Sequence, residues 1–244
     1  IAFLTSHPRS GTTLLEQALD SHPQLISADE LQVFTELVFI PLGRFDDGVK
    51  SPPDVLDAAP LEMLTRLRSD YRTAVEGALR EPIGERLLLD KNPEFTMMLP
   101  TICRAFPEVK VVFALRDPRD VVVSCFAQWL PLNPVSVHFL TLEKTVKKYA
   151  TMMSAWLKLR DMMPNPWIEV RYEDAVDELP KVAQGVLECL GLPWDNAVLD
   201  YRQRAQQKHV HSPTYEAVTK PVYRSSVGRW RNYERQLEPY LEQL

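Results

Sequence analysis

Ile1-Ala2-Phe3-Leu4-Thr5-Ser6-His7-Pro8-Arg9-Ser10-Gly11-Thr12-Thr13-Leu14-Leu15 opens the chain and decides its architecture. The first six residues read as a short buried strand. Residues 7–13 form a loop, and a helix follows with Leu14, Leu15, Ala18 and Leu19 on one side, stopped by Ser21-His22-Pro23. A strand–loop–helix joint aims backbone N–H groups and the positive end of a helix at one spot, which suits a phosphate-like anion. Gly11 lets the backbone come close. Ser10, Thr12 and Thr13 add hydroxyl donors, and Arg9 adds a forked cation. The loop is not the GxxxxGK[ST] pattern, because it holds no lysine. Taken alone, it also fits a capped helix start with a surface arginine.

Working outward, 86–90 reads as a second buried strand and 167–170 as another. The clearest strand is 109–115, which is β-branched and bounded by Pro107 and Pro118. Helical spacing runs through 61–79 (Leu61, Leu64, Leu67, Tyr71, Val75, Leu79) and 141–163. A further helix is expected over 180–190, with Pro180 at its start and Gly191 and Pro193 after its end. Residues 30–45 are apolar and aromatic. The polar, Pro-rich stretch 46–60 reads as a loop. Strands alternating with helices predict an α/β fold, P-loop-like, with three α/β/α layers around a mainly parallel central sheet. There is no internal repeat, so residues 1–244 are expected to form a single domain.

Composition narrows the function. Eight glycines in 244 residues fall well below the usual share of roughly 7%, which excludes collagen-like and glycine-repeat chains. The net charge of −5 argues against nucleic acid as a partner and makes any anion site local. Cys103, Cys125 and Cys189 are odd in number and widely spaced, so a disulfide scaffold or a metal site is not expected. A reducing, cytoplasmic compartment follows as the simpler expectation. No apolar run reaches the length of a membrane span. The chain starts at Ile1 inside a strand, so part of a longer protein is expected upstream.

Five further segments accompany the loop in order: Asp29-Glu30, Asp90-Lys91-Asn92-Pro93, Leu115-Arg116-Asp117-Pro118-Arg119 with Ser124, Val170-Arg171-Tyr172-Glu173-Asp174, and Ser225-Ser226-Val227-Gly228-Arg229-Trp230-Arg231. Together they resemble the sulfotransferases that use 3′-phosphoadenosine 5′-phosphosulfate (PAPS). The likeness is to the bacterial branch often fused to tetratricopeptide repeats and to tyrosylprotein sulfotransferases, and it covers essentially the whole chain.

The resemblance implies roles. Arg9, Ser10, Gly11, Thr12 and Thr13 would form the 5′-phosphosulfate loop. Arg116 and Ser124 would bind the 3′-phosphate, Tyr172 would contact the nucleotide, and Ser226, Gly228, Arg229 and Arg231 would form the C-terminal cofactor segment. Arg119 reads as structural. Glu30 would be the general base, with Asp29 the lesser choice. His22 is the rival base but sits in a helix stop. Lys91 would meet the sulfuryl group and steady the leaving phosphate.

Some positions depart from the relatives. Tyr223-Arg224-Ser225 stands where cytosolic members carry Arg-Lys-Gly. Gly228 falls nearest a catalytic serine of the tyrosylprotein branch, and Gln128 replaces a phosphate-binding arginine. The implied reaction moves a sulfuryl group to a hydroxyl or amine of a small molecule, carbohydrate or peptide, without metal. Phe34, Phe39, Phe45 and residues 209–219 are candidates for the acceptor pocket. Two rivals stay open. One is a P-loop kinase, with Asp90 as a Mg²⁺ ligand at the end of Leu87-Leu88-Leu89. The other is a nucleotide-binding domain without turnover.

Overall fold

The structure is a computed structural model that describes residues 1–44, 52–129, 132–202 and 224–244. Five strands, β1 (Ala2–Ser6), β2 (Leu25–Asp29), β3 (Leu87–Lys91), β4 (Lys110–Leu115) and β5 (Trp167–Arg171), form one sheet in the order β2-β3-β1-β4-β5. Every ladder is parallel. The expected α/β class with a mainly parallel sheet therefore holds.

Both faces are covered, as parallel sheets require. Strand alternation divides the core. Ala2 and Leu4 of β1, with Val112 and Ala114 of β4, face α1 (Thr12–Asp20) and α8 (Tyr172–Leu190). Phe3, Val111 and Phe113 face the opposite layer. That layer includes α2 (Ile40–Gly43), α3 (Pro52–Ala58), α4 (Leu61–Leu79), α5 (Leu99–Ala105) and Trp156 of α7 (Leu142–Met162). Trp156 stacks on Phe113 with centroids 4.0 Å apart and donates its indole N–H to Glu169 at 2.7 Å. A third cluster joins α6 (Pro118–Ala127), α7 and the C-terminal turns through Val122, Phe139 and Leu237.

Local chemistry sets the helix boundaries. Asp117 caps α6 by accepting the Arg119 backbone N–H at 2.9 Å, and Pro118 supplies the first turn, where no intrahelical donor is needed. Thr141 caps α7 in the same way. The apolar stripe of α4 buries Leu64, Leu67, Tyr71 and Val75 as its spacing predicts.

Three expectations change. β2 was not anticipated. The stretch 46–60 is not all loop, because α3 occupies Pro52–Ala58, Val55 and Ala59 are buried, and residues 45–51 lie outside the described set. The last long helix starts at Tyr172 rather than near Pro180. It kinks at Glu178, whose backbone leaves the helical region two residues before Pro180 removes a donor.

Phe34 is core. It is fully buried and packs edge-on to Phe3 and Phe95 with centroids 5.4 Å away from each. Phe39 packs on the same cluster, whereas Phe45 and residues 209–219 lie outside the described residues.

Asp90 is the unusual core group. Fully buried on β3, it accepts the Tyr71 hydroxyl at 2.7 Å, and burial pushes its pKa up to about 7. The native state therefore keeps a proton that the unfolded chain has already released above its ordinary pKa near 3.9. This contribution to stability is lost as pH rises toward 7. Asp90→Asn removes it. The variant should gain stability relative to the parent as pH rises from about 5 to about 8. Urea unfolding of both proteins at the two pH values measures the difference; parallel curves would contradict the assignment.

Candidate active site

The chain leaves β1 toward β2 on one side and leaves β4 toward β5 on the other. The two connections part above the carboxyl ends of adjacent strands, where open α/β sheets bind ligands. All five strands deliver their following residues to this edge: 7–11 after β1, Glu30 after β2, Asn92 after β3, Arg116 after β4 and Tyr172 after β5.

Two positive backbone angles shape the loop after β1, Arg9 at φ 72° and Gly11 at φ 94°. They turn successive N–H groups inward. The N-cap of α1 is Gly11, which has no side chain to accept a first-turn N–H. Gly11 is needed twice over. Its φ is left-handed, and a Cβ there would collide with the Tyr172 ring. Ser10, Thr12 and Thr13 are buried at the loop–helix junction.

His7 seats the start of the loop. Its ring lies 5.1 Å from that of Tyr149, and its Nδ1–H donates to the Pro8 carbonyl at 2.9 Å. Burial holds its pKa down to about 4, so the imidazole is neutral.

Across the parting point, Arg9 donates Nε–H to the Ser124 hydroxyl of α6 at 3.1 Å. Arg116 donates Nη1–H to the Arg9 carbonyl at 3.1 Å and Nη2–H to the Ser226 carbonyl. Its guanidinium carbon lies 4.7 Å from the centre of the Tyr172 ring. Its Nε is buried, and among the described residues no acceptor reaches it. Asp117 pairs instead with Arg119, through Nη2 at 2.6 Å. Arg119 in turn lies over the Trp230 ring at 3.6 Å. Glu173 accepts the Asp117 backbone N–H at 2.9 Å and ties α8 to the start of α6.

On the other side of β1, Lys91 ends β3 with its side chain fully buried. The parallel register sets Asp29 opposite Lys91, and the two side chains form an ion pair. Glu30 follows at φ 52°, its N–H on the Lys91 carbonyl at 2.8 Å and its Oε1 2.8 Å from Lys91 Nζ. Burial pulls the Lys91 pKa down, but Glu30, Asp29 and Glu16 outweigh it, so the net shift is upward and the ammonium stays charged.

Contacts thus bring together Arg9, Gly11, Arg116, Ser124, Tyr172 and Ser226 as one group, and Glu30 with Lys91 as another. Gly228, Arg229 and Arg231 lie in the turn beyond Ser226. Gly228 is at φ 72° with the Arg231 guanidinium against it, and Arg229 is exposed. His22 lies at the far end of α1, its ring nitrogens engaged by the Pro193 carbonyl and the Gln24 N–H.

The sulfotransferase family profile matches residues 2–196. The chain belongs to the sulfotransferase family. Protein-tyrosine sulfotransferase 1 of Danio rerio is 25% identical over 94% of this chain and 65% of the relative. The sulfotransferase domain from the Synechococcus PCC 7002 olefin synthase superposes with a TM-score of 0.66 at 23% identity, covering 95% of this chain and 86% of that one. The mouse sulfotransferase SULT7A1 complexed with PAP superposes at 0.57 with 17% identity, covering 99% and 82%. The chain spans about a third to two thirds of the length of the curated relatives it matches.

The sequence offers Asp29 only as the lesser choice of base, whereas the structure makes it the register partner of Lys91. Glu16 and Asp120 were not singled out, because a buried acid on a helix has no spacing signature.

Gly11→Ala should destabilise the protein by at least about 1–2 kcal/mol from the left-handed φ alone, with a further loss from the clash on Tyr172. Adding Tyr172→Ala should restore the second part and not the first. Denaturant unfolding of the two single variants and the double variant separates them, and additive losses would show that the ring clash is absent.

Proposed function

We propose that this chain transfers a sulfuryl group from PAPS to a hydroxyl or amine acceptor, releasing adenosine 3′,5′-bisphosphate. The observation that carries the proposal is the pairing of Glu30 with a buried, charged Lys91 beside an arginine-lined anion loop whose helix N-cap is a glycine. Family membership supports the reaction class. Support for the donor comes from Arg116, whose buried Nε has no acceptor among the described residues, and from the PAP complex of the mouse enzyme.

In this reading the N–H groups and hydroxyls of Arg9, Ser10, Gly11, Thr12 and Thr13 hold the 5′-phosphosulfate. Arg116 and Ser124 take the 3′-phosphate. Tyr172, Ser226, Gly228, Arg229 and Arg231 close on the nucleotide. Glu30 removes the acceptor proton as the acceptor oxygen or nitrogen bonds to sulfur, and the bond from sulfur to the bridging oxygen breaks. Lys91 meets the negative charge that grows on that oxygen. Positioning and charge neutralisation supply most of the acceleration, as in phosphoryl transfer.

The kinase alternative is not favoured. It needs the Asp90 carboxyl at the loop, whereas Asp90 hydrogen-bonds to Tyr71 in the helical layer opposite α1. The acceptor is a small molecule, carbohydrate or peptide, and the net charge of −5 gives no general attraction to strongly acidic ones. Cys103, Cys125 and Cys189 are free thiols, and a reducing, cytoplasmic compartment is part of this proposal. No helix among the described residues is long and apolar enough to cross a membrane.

Radiolabelled sulfate transfer from PAPS to fractionated cell extract tests the reaction and finds the acceptor together. Glu30→Gln should keep bisphosphate affinity and lose transfer by about 10²–10⁴, the usual share of a general base. Normal turnover by that variant would overturn the base assignment. Arg9→Ala and Arg116→Ala should each weaken bisphosphate binding by about tenfold or more. Calorimetric titration reads this directly, and unchanged affinity in both would sink the proposed cradle.

A further inference from the structure

Residues 116–120 hold the segment 226–230 by three separate contacts. Arg116 donates to the Ser226 carbonyl, and Arg119 stacks on Trp230. The third contact is a double one. The Asp120 carboxylate, only 2% exposed, accepts the Gly228 backbone N–H on Oδ2 at 2.6 Å and the Trp230 backbone N–H on Oδ1 at 2.8 Å. Both oxygens of one buried carboxylate are spent on amides more than a hundred residues away. Asp120 stands in the first turn of α6, but Asp117 is the residue that caps the helix. Besides lying near the positive end of α6 and beside Arg119, the Asp120 carboxylate gives both its oxygens to the C-terminal segment. The segment is short turns with an exposed Arg229 and Arg231, and its own hydrogen bonds run only between near neighbours, Val227 to Arg224 and Arg231 to Gly228.

We infer that Asp120 is a positioning residue that keeps the C-terminal segment docked on α6 when a nucleotide 3′-phosphate takes Arg116 from the Ser226 carbonyl. A 3′-phosphate bound in bidentate fashion takes Nε, which has no acceptor among the described residues, together with Nη2, the nitrogen that now donates to the Ser226 carbonyl. A 3′-phosphate drawn to the guanidinium competes with the Ser226 carbonyl and loosens one of the three contacts. The Asp120 bonds reach the backbone two and four residues further on, so they persist. Gly228, at φ 72°, provides the bend between the part that yields and the part that stays. Arg229 and Arg231 then remain at the site instead of leaving with Ser226. Hydrogen bonds to an ionised carboxylate belong to the strong class.

This inference rests on reading 226–231 as part of the nucleotide site, and its test separates the two. Calorimetric titration of the parent protein with adenosine 3′,5′-bisphosphate and with adenosine 5′-monophosphate gives an affinity ratio for the 3′-phosphate. Asp120→Asn keeps one acceptor and turns an NH₂ toward the other amide. It should cut that ratio about tenfold, and Asp120→Glu should restore part of it. A general loss of folding lowers both affinities together and leaves the ratio alone. Hydrogen exchange of the peptide 224–231, measured without nucleotide, should quicken in Asp120→Asn while exchange in β1 and β4 stays slow. An unchanged ratio together with unchanged exchange at 224–231 overturns the role of Asp120. Failure of the parent protein to prefer the bisphosphate over the monophosphate overturns the nucleotide reading of the segment itself.

Discussion

An ammonium group is costly to take out of water, by several kcal/mol even after relaxation, yet Lys91 is fully buried. That one constraint organises the left half of the molecule. Carboxylates must reach the ammonium from different elements, and they do. Asp29 arrives by strand register, Glu30 by a turn through positive φ, and Glu16 from the buried face of α1. A slip of one residue between β2 and β3 would send Asp29 to the opposite face of the sheet and leave Lys91 short of a partner. The ion pair and the ladder therefore enforce each other. Glu16 extends the constraint, since its carboxylate also accepts from Ser27 of β2 and from Gln17, while Asp20 accepts the Ser27 N–H at 2.8 Å. The helix that begins at the anion loop is thereby locked to the strand that ends at Glu30.

β1 is the common reference for both halves. Flanked by β3 and β4, it cannot move relative to Lys91 or Arg116 without breaking a ladder. Its loop is held from the far side as well, through Arg9 to Ser124 and through its carbonyl to Arg116. A loop with a non-glycine residue, Arg9, at φ 72° stores strain that the surroundings must hold in place. Here the restraint comes from side chains that also belong to the site, so loop shape and site integrity depend on the same contacts.

What could be read in the sequence follows from how local each signal is. β4, α4 and α7 carry strong periodicity, and the segments around Gly11, Lys91 and Arg116 have fixed internal spacing, so all were legible. β2 was not. Its five residues, Leu25-Ile26-Ser27-Ala28-Asp29, include small and polar groups that no local pattern marks as strand. They are buried because Ser27 and Asp29 find partners on α1 and β3. The pairing of Asp29 with Lys91 spans 62 positions and exists only through register. Asp120 spans more than a hundred, and Phe34 was ambiguous because an aromatic residue near a site and one in a core look alike until packing decides. The residues were visible; the distances between them in sequence hid their partners.

Net charge proved a weak guide for a related reason. The molecule carries −5 overall, but a buried site responds to what stands within a few ångströms, where the effective dielectric is low. The two halves differ there. Arg116 is held by two backbone carbonyls, which carry no countercharge, and its Nε has no acceptor among the described residues. Lys91 instead has carboxylates around it, Glu30, Asp29 and Glu16, which hold its pKa up against burial. The loop after β1 lies between the two. The fold sets carbonyls as partners for one cation and carboxylates for the other, so an anion that reaches Lys91 must compete with Glu30 and Asp29, whereas one that reaches Arg116 competes among the described residues only with backbone carbonyls.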